Sequence, residues 1–252
     1  MTTIHFYGRV LPSHLSVSVQ LPEIKWKWEE QNLDLTFRTK ITNAGVEVQC
    51  DVEPYNEEYI SEIFKRATDL ARLAANMAAF TTGYGLVVAL ETMIGPLGVN
   101  VIQRQEQVPP SSYTSFGTGG DDDQEIGKVF RSIIAEPSAF IALDDLIKAV
   151  TSHHTQLADC GRVVDRIRRM ITPGQPDSVA WQNMRTSLNI SRTYLEWISK
   201  QSTGPRHGDP TYIPGNIGSE SMARTWVVMN RFLEYRKRGN QALTAPGFVL
   251  LE

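Results

Sequence analysis

The sequence concentrates its chemically versatile side chains in one short segment, residues 204–210 (GPRHGDP), which holds Arg206, His207 and Asp209. A histidine can move a proton near neutral pH, and an arginine can bind a phosphate oxyanion. The flanking glycines and prolines indicate a loop, where such groups are commonly displayed. One interpretation is a catalytic set of Arg206, His207 and Asp209. The other is structural: Arg206 pairs with an internal acid, while His207 and Asp209 cap helices or bond the loop backbone.

Charge is distributed unevenly along the chain. Residues 161–240 hold 13 Lys and Arg against 6 Asp and Glu, whereas residues 1–160 hold 12 against 21. The formal net charge of −3 therefore combines an acidic first part with a basic second part. Most of the basic residues are arginines, which suit two-pronged hydrogen bonding to phosphate or carboxylate. The basic part is predicted either to bind an anionic partner or to pair with the acidic part inside the molecule.

Many of these arginines recur at spacings that place them on one face of a helix. The rows are Arg162–Arg166–Arg169, Arg185–Arg192 and Arg224–Arg231–Arg238. The partner predicted from these rows is RNA, a nucleotide or another phosphate-bearing molecule. The residues assigned to its binding groove are Arg185, Arg192, Arg224, Arg231 and Tyr212.

Composition argues against several other kinds of site. The two cysteines, Cys50 and Cys160, occupy apolar-periodic positions, which predicts small buried side chains rather than a disulfide scaffold or a thiolate zinc site. We predict no metal site, because the adjacent His153 and His154 have no third ligand near them in sequence, and no cofactor. The chain lacks a phosphate-binding loop and a Gly-x-Ser-x-Gly motif, which argues against nucleoside triphosphatase and serine-hydrolase chemistry. No apolar run approaches ~20 residues. The first residues lack the pattern of a signal peptide, so we expect a cytoplasmic protein with no membrane partner.

The first 55 residues alternate apolar and polar side chains, as in Leu33, Leu35 and Phe37. A period of two predicts an antiparallel sheet with one apolar and one polar face. We assign Trp26, Trp28 and Phe37 to the sheet core, in preference to a platform on which bases or sugars stack. Four or five strands cannot bury an apolar face alone, so helices are expected to cover it.

From Asn56 onward the period becomes helical, apart from an expected hairpin between residues 85 and 102. Further helices are predicted near residues 138–150, 155–171, 178–201 and 219–238, with a Gly/Pro-rich loop over 203–218. The inward face of the helix after Pro137 is assigned to Phe140, Leu143, Leu146, Ile147 and Val150. The fold class is α+β: an N-terminal antiparallel β-sheet followed by a mainly helical bundle. The predicted domains are residues 1–105 and 122–252, with a linker over 106–121.

Three segments of the second half resemble a bacterial family of uncharacterised proteins that share an RHGD loop. They are residues 181–185 (WQNMR), 206–209 (RHGD) and 225–234, which begins TW and ends MNRFLE. The resemblance implies a bacterial cytoplasmic origin.

An arginine followed by a polar residue within a helical bundle also resembles the HEPN family of ribonucleases. That resemblance implies metal-independent cleavage of RNA in a stress or defence system, with Arg206 binding phosphate and His207 transferring a proton. It also implies a homodimer whose site spans a twofold axis. The sequence departs from the family pattern because no histidine lies four to six residues after Arg206. The alternative function is a non-catalytic adaptor that docks a protein partner, with a structural RHGD loop.

Overall fold

The computed structural model describes residues 1–101, 123–208 and 215–252. The chain divides into two compact units, Met1–Gln105 and Glu106–Glu252, called here the sheet unit and the helical unit. The fold is α+β, as predicted from the sequence. The linker assigned to residues 106–121 lies outside the described residues. Within them, no helix combines the length and apolar character needed to cross a membrane.

The sheet unit contains seven antiparallel strands and one long helix. The strands are β1 (Thr2–Leu11), β2 (Val19–Gln20), β3 (Ile24–Trp28), β4 (Leu33–Thr42), β5 (Gly45–Glu53), β6 (Val87–Gly95) and β7 (Gly98–Val101). Their order is β2-β4-β5-β1-β6-β7, and β3 also pairs with β4. The hairpin expected between residues 85 and 102 is confirmed as β6 and β7. Asn56 accepts a hydrogen bond from the Glu58 amide just before α1 (Ile60–Thr82), and Gly83 ends that helix in the left-handed region.

The period-two pattern decides which side of the sheet is buried. Phe37 is almost fully buried, and alanines of α1 pack against the apolar face. Trp26 and Trp28 pack half-buried against the same core, and the guanidinium of Arg66 lies 4.4 Å from the centre of the Trp26 ring. The assignment of these aromatics to the sheet core is therefore confirmed. Cys50 is buried as predicted, and burial raises the pKa of its thiol to about 12.

The described helices of the helical unit are α2 (Asp123–Ile134), α3 (Pro137–Thr151), α4 (Gln156–Ile171), α5 (Asp177–Leu188), α6 (Arg192–Arg206) and α7 (Gly215–Lys237). The helix α4 is central and packs against α3, α5, α6 and α7. Its apolar face, which includes Cys160, Val163 and Ile167, is buried as predicted. Gly161 brings α4 and α6 together, because a Cβ atom there would lie 2.4 Å from Oγ of Ser202.

The inward face predicted for α3 is wrong in part. Phe140 and Ile147 are 59% and 47% exposed, whereas Ala139, Ala142, Leu146 and Ala149 are buried. The helix is apolar around most of its circumference, so periodicity alone does not single out one face. Alanines face the core because their small side chains allow α3 to approach α4 closely.

The single helix predicted over residues 178–201 is instead two helices, α5 and α6. Asn189 adopts the left-handed conformation (φ 52°) that ends α5, and the Ser191 hydroxyl accepts a hydrogen bond from the Tyr194 amide to begin α6. The chain terminus fixes this corner, since Ile190 forms a parallel bridge with Leu251. Arg185 and Arg192 therefore belong to different helices. The prediction that they lie on one face of a single helix is wrong.

The loop predicted over residues 203–218 is also shorter than expected. The helix α6 continues through Pro205 to Arg206, and α7 already begins at Gly215. His207 occupies the C-terminal cap of α6, where its amide donates to the carbonyl of Gly204 at 2.9 Å. Residues 209–214 lie outside the described residues.

Candidate functional site

Arg231, predicted to line a groove, lies inside the helical unit. Its side chain is only 7% exposed and donates to the backbone oxygens of Leu188 (2.9 Å), Asn189 (2.7 Å) and Val249 (2.5 Å). Burial lowers the pKa of its guanidinium, but an arginine stays charged at neutral pH. The three carbonyls belong to the end of α5 and to the C-terminal tail. Arg231 therefore ties the tail to the helices.

Arg224 is also engaged within the unit. Its guanidinium donates to Glu220 (Nε–Oε1 2.9 Å) and lies 4.8 Å and 4.6 Å from the ring centres of Tyr194 and Trp197. The carboxylate balances its charge, and the two rings cover part of its surface. The structure does not place Arg224 in a cleft with Arg185 and Arg192.

The segment with the dense chemical cluster is only partly described. Arg206 donates to the carboxylate of Asp165 and, through Nε, to the Ser202 carbonyl at 3.3 Å. Its partner is therefore an acid of the same unit, as in the structural alternative. His207 is exposed at the end of α6. Asp209 and Tyr212 lie outside the described residues.

Arg185 and Arg192, in contrast, line one cleft of about 380 Å³ between α5 and α6. The two helices diverge from the corner at Asn189–Ser191 and make little direct contact with each other, which leaves the cleft between them. The lining comes from positions spaced by three, four and seven along each helix, and consists of Ser178, Trp181 and Arg185 from α5 and Arg192, Leu195, Glu196 and Ser199 from α6.

The two arginines of this cleft differ in their partners. Arg192 donates to Glu196 at 2.6 Å, and both side chains are largely exposed, at 74% and 57%. Arg185 is half-buried and forms neither an ion pair nor a side-chain hydrogen bond with any residue that the structure describes. The cleft therefore presents one guanidinium without a partner among the described residues beside one in an exposed, weak pair.

A fixed aromatic wall completes the cleft. Trp181 packs against the helical core, and the guanidinium of Arg168 lies 4.8 Å from the centre of its ring. Arg168 is buried and is held by Asp177, whose Oδ1 lies 2.8 Å from Nη1. Trp181 lies in the helix predicted over residues 178–201, and the sequence analysis did not assign it to a site. The spacing of Trp181 from Ser178 and Arg185 places the three side chains on one helix face. That spacing indicates a cleft only when the end of α5 is known.

The helical unit balances most of its own charge. Residues 106–252 hold 16 Lys and Arg and 16 Asp and Glu, so the unit is neutral. Arg162 and Arg166 pair with Asp145 of α3, and Arg236 pairs with Glu136 at 2.5 Å. The charge counts for residues 1–160 and 161–240 divide this unit in two. They therefore separate acids such as Asp145 from the arginines that they neutralise. Groups of three or more His, Cys, Asp or Glu suited to a metal ion are absent from the described ranges.

The geometry thus defines a protein of two units, an antiparallel sheet with one helix and a helical bundle with an arginine-lined cleft. Family models match both units: residues 4–101 match the N-terminal domain, and residues 126–237 the C-terminal domain, of a domain of unknown function, DUF8168. The chain belongs to the DUF8168 family. No curated protein and no solved structure matches it.

Proposed function

We propose that the helical unit binds a phosphate-bearing ligand of nucleotide size in the cleft between α5 and α6. The observation that carries this proposal is Arg185, a half-buried guanidinium without a described partner, placed beside Arg192 and Trp181. A partly desolvated cation that lacks an internal acid gains most from an external anion. In this proposal Arg185 holds the phosphate.

Arg192 supplies the second contact to the phosphate. Its pair with Glu196 is exposed, and an exposed ion pair contributes only about 0–1 kcal/mol to stability. The side chain of Arg192 can therefore leave Glu196 and turn to a ligand at small cost. Two guanidinium groups would then hold one phosphate from opposite helices.

Trp181 indicates a second feature of the ligand, a base that stacks on its ring. The ring packs against the helical core with Arg168 over it, so little of its rotamer freedom is left to lose on binding. A base that stacks on an aromatic side chain contributes about 1–3 kcal/mol. An aromatic ring beside two arginines fits a nucleoside phosphate better than a bare inorganic anion.

The charge balance favours a small ligand over a long nucleic acid. Non-specific RNA binding draws its affinity from many phosphate contacts and needs a broad basic surface. The helical unit is neutral overall, and its arginines are mostly paired with internal acids. A mononucleotide, or one nucleotide at the end of an RNA strand, is therefore the ligand class that we propose.

Replacing Arg185 by alanine should weaken binding of a nucleoside monophosphate by about 10- to 100-fold, because hydrogen bonds to charged groups contribute about 1.5–3 kcal/mol. Calorimetric titration of the full chain measures the change. The matched control is Arg131→Ala, which removes an exposed arginine of α2 outside the cleft. An unchanged affinity in Arg185→Ala, or an equal loss in Arg131→Ala, would contradict the proposal.

Ribonuclease activity is a second candidate function, favoured by the exposed imidazole of His207 next to Arg206. In such an enzyme His207 takes the proton of a ribose 2′-hydroxyl, and arginines bind the charged phosphate. His207→Ala should abolish cleavage of a single-stranded RNA in the presence of a chelator while RNA binding is kept. Cleavage at the same rate in the variant and the wild type would exclude His207 as the catalytic group.

A further inference from the structure

The helix α4 carries a second group of arginines that the proposed function does not use. Arg162, Arg166 and Arg169 line a separate cleft of about 460 Å³, together with Ser138 in the first turn of α3. We propose that this cleft is a binding site for a chain of two or three linked phosphates. The three side chains follow each other at i, i+4 and i+7, so they form a row about 10 Å long on one face of α4.

Two buried carboxylates lie beneath this row. Arg162 donates to Asp159 and approaches Asp145 at 3.5 Å, and Arg166 donates to Asp145 through Nε at 3.0 Å. Asp145 and Asp159 are buried, whereas both arginine side chains are partly exposed. Negative charge therefore lies inside and positive charge outside, and the carboxylates hold the guanidinium groups in place before a ligand binds.

Both of these arginines keep unused donors. The bonds to Asp145 and Asp159 involve Nε and Nη2 of Arg162 and Nε of Arg166. The remaining N–H groups, Nη1 of Arg162 and both Nη of Arg166, have no acceptor within the residues described. A guanidinium has five donors, so it can bind a carboxylate on one side and a phosphate on the other.

Arg169 adds a charge that none of the described acids balances. It is exposed and has no carboxylate partner in the described part of the chain. The two acids at the cleft, Asp165 and Glu136, are already bound by Arg206 of α6 and Arg236 of α7. The cleft therefore retains positive charge at the end of the row.

The length and lining of the cleft indicate the class of ligand. One phosphate cannot contact all three arginines of a row about 10 Å long, whereas a di- or triphosphate chain can. The apolar lining consists of Met170 and Pro173, with no aromatic ring among the described lining residues. This cleft thus offers contacts to the phosphate chain but no stacking surface for a base, unlike the cleft that contains Trp181.

Calorimetric titration of the full chain with tripolyphosphate, pyrophosphate and inorganic phosphate tests this site. We expect affinity to fall in that order, and Arg169→Ala to weaken tripolyphosphate binding at least tenfold. Arg169 is exposed and makes no ion pair with the residues that the structure describes, so thermal unfolding of this variant should match the wild type. Arg131→Ala should leave tripolyphosphate binding unchanged, and Arg185→Ala should lower it by less than Arg169→Ala does.

Four outcomes overturn the inference, and a fifth supports it together with the proposed function. Absence of tripolyphosphate binding by the wild type, equal affinity in Arg169→Ala, or an equal loss in Arg131→Ala would each exclude a built site on α4. A loss confined to Arg185→Ala would assign the phosphates to the cleft between α5 and α6, which supports the proposed function and removes the second site. A nucleotide that binds through Arg185 while tripolyphosphate binds through Arg169 establishes both sites.

Discussion

Replacing Arg231 by methionine should lower the free energy of unfolding of the helical unit by about 2–4 kcal/mol, because a buried acceptor left without its donor costs about 1–3 kcal/mol. The substitution keeps an unbranched side chain but removes the donors to Leu188, Asn189 and Val249. The Leu188 bond is buried, so water cannot readily replace the lost donor there. Urea unfolding followed by far-ultraviolet circular dichroism measures the difference.

Arg238→Met is the matched control for this prediction. Arg238 lies directly after α7, seven residues beyond Arg231, and its guanidinium lies 4.8 Å from the centre of the Phe248 ring, compared with 5.7 Å for Arg231. The Arg238 side chain is half-exposed, its ion pair with the buried Glu234 is 3.5 Å long, and Lys237 also pairs with Glu234, so the loss of Arg238 should cost less than about 1 kcal/mol. Equal stabilities of the two variants would show that Arg231 does not hold the tail, and would return it to the candidate binding residues.

The second large effect is expected at Gly8, in the sheet unit. Gly8 lies in β1 between β5 and β6, at an irregularity in the pairing between β1 and β6. A Cβ atom there would lie 2.0 Å from the Ala89 carbonyl oxygen and 2.7 Å from the Leu90 Cα. These neighbours are backbone atoms, so the two strands themselves must move apart. Gly8→Ala should destabilise the sheet unit by about 3 kcal/mol, at the upper end for overpacked positions.

Gly95→Ala provides the comparison in the same sheet. Gly95 ends β6, and a Cβ atom there would meet no heavy atom within 4 Å. The unfolding free energy of Gly95→Ala should stay within about 0.5 kcal/mol of the wild-type value, as for most substitutions away from packed positions. Similar stabilities of Gly8→Ala and Gly95→Ala would contradict the close approach of β1 and β6.

The sequence predicts the sheet unit well, for a physical reason. A shift of the strand register by one residue would turn every side chain to the other face of the sheet. The alternation of apolar and polar residues therefore indicates directly which side chains are buried. Leu33, Leu35 and Phe37 alternate in sequence and are all buried in β4. The change of period at Asn56 likewise predicts the helix that follows, and the hairpin between residues 85 and 102 is predicted as well.

The helical unit is predicted less well, because a helical period does not show where one helix ends and another begins. The break between α5 and α6 depends on the left-handed conformation of Asn189 and on the capping hydroxyl of Ser191. Apolar residues continue at helical spacing across both helices, which conceals that break. Arg185 and Arg192 were grouped together as neighbours on one helix face, yet they meet across a cleft between two helices.

The roles of individual arginines are the least predictable feature of the site. Arg185 and Arg231 look alike in sequence, since each lies at helical spacing among apolar residues. The difference arises from distant backbone: Arg231 meets carbonyls at residues 188, 189 and 249, whereas Arg185 meets no acid in the described residues. Such contacts join residues 18 to 43 positions apart and leave no trace in local spacing.

The central claim is that Arg185 holds a phosphate in the cleft between α5 and α6. The most direct measurement is a cycle of four affinities: wild type and Arg185→Ala, each titrated with adenosine 5′-monophosphate and with adenosine. We predict that the substitution weakens binding of the nucleotide by about 10-fold or more and leaves the affinity for the nucleoside nearly unchanged. Equal losses for the two ligands, or no loss for either, would contradict a phosphate contact at Arg185.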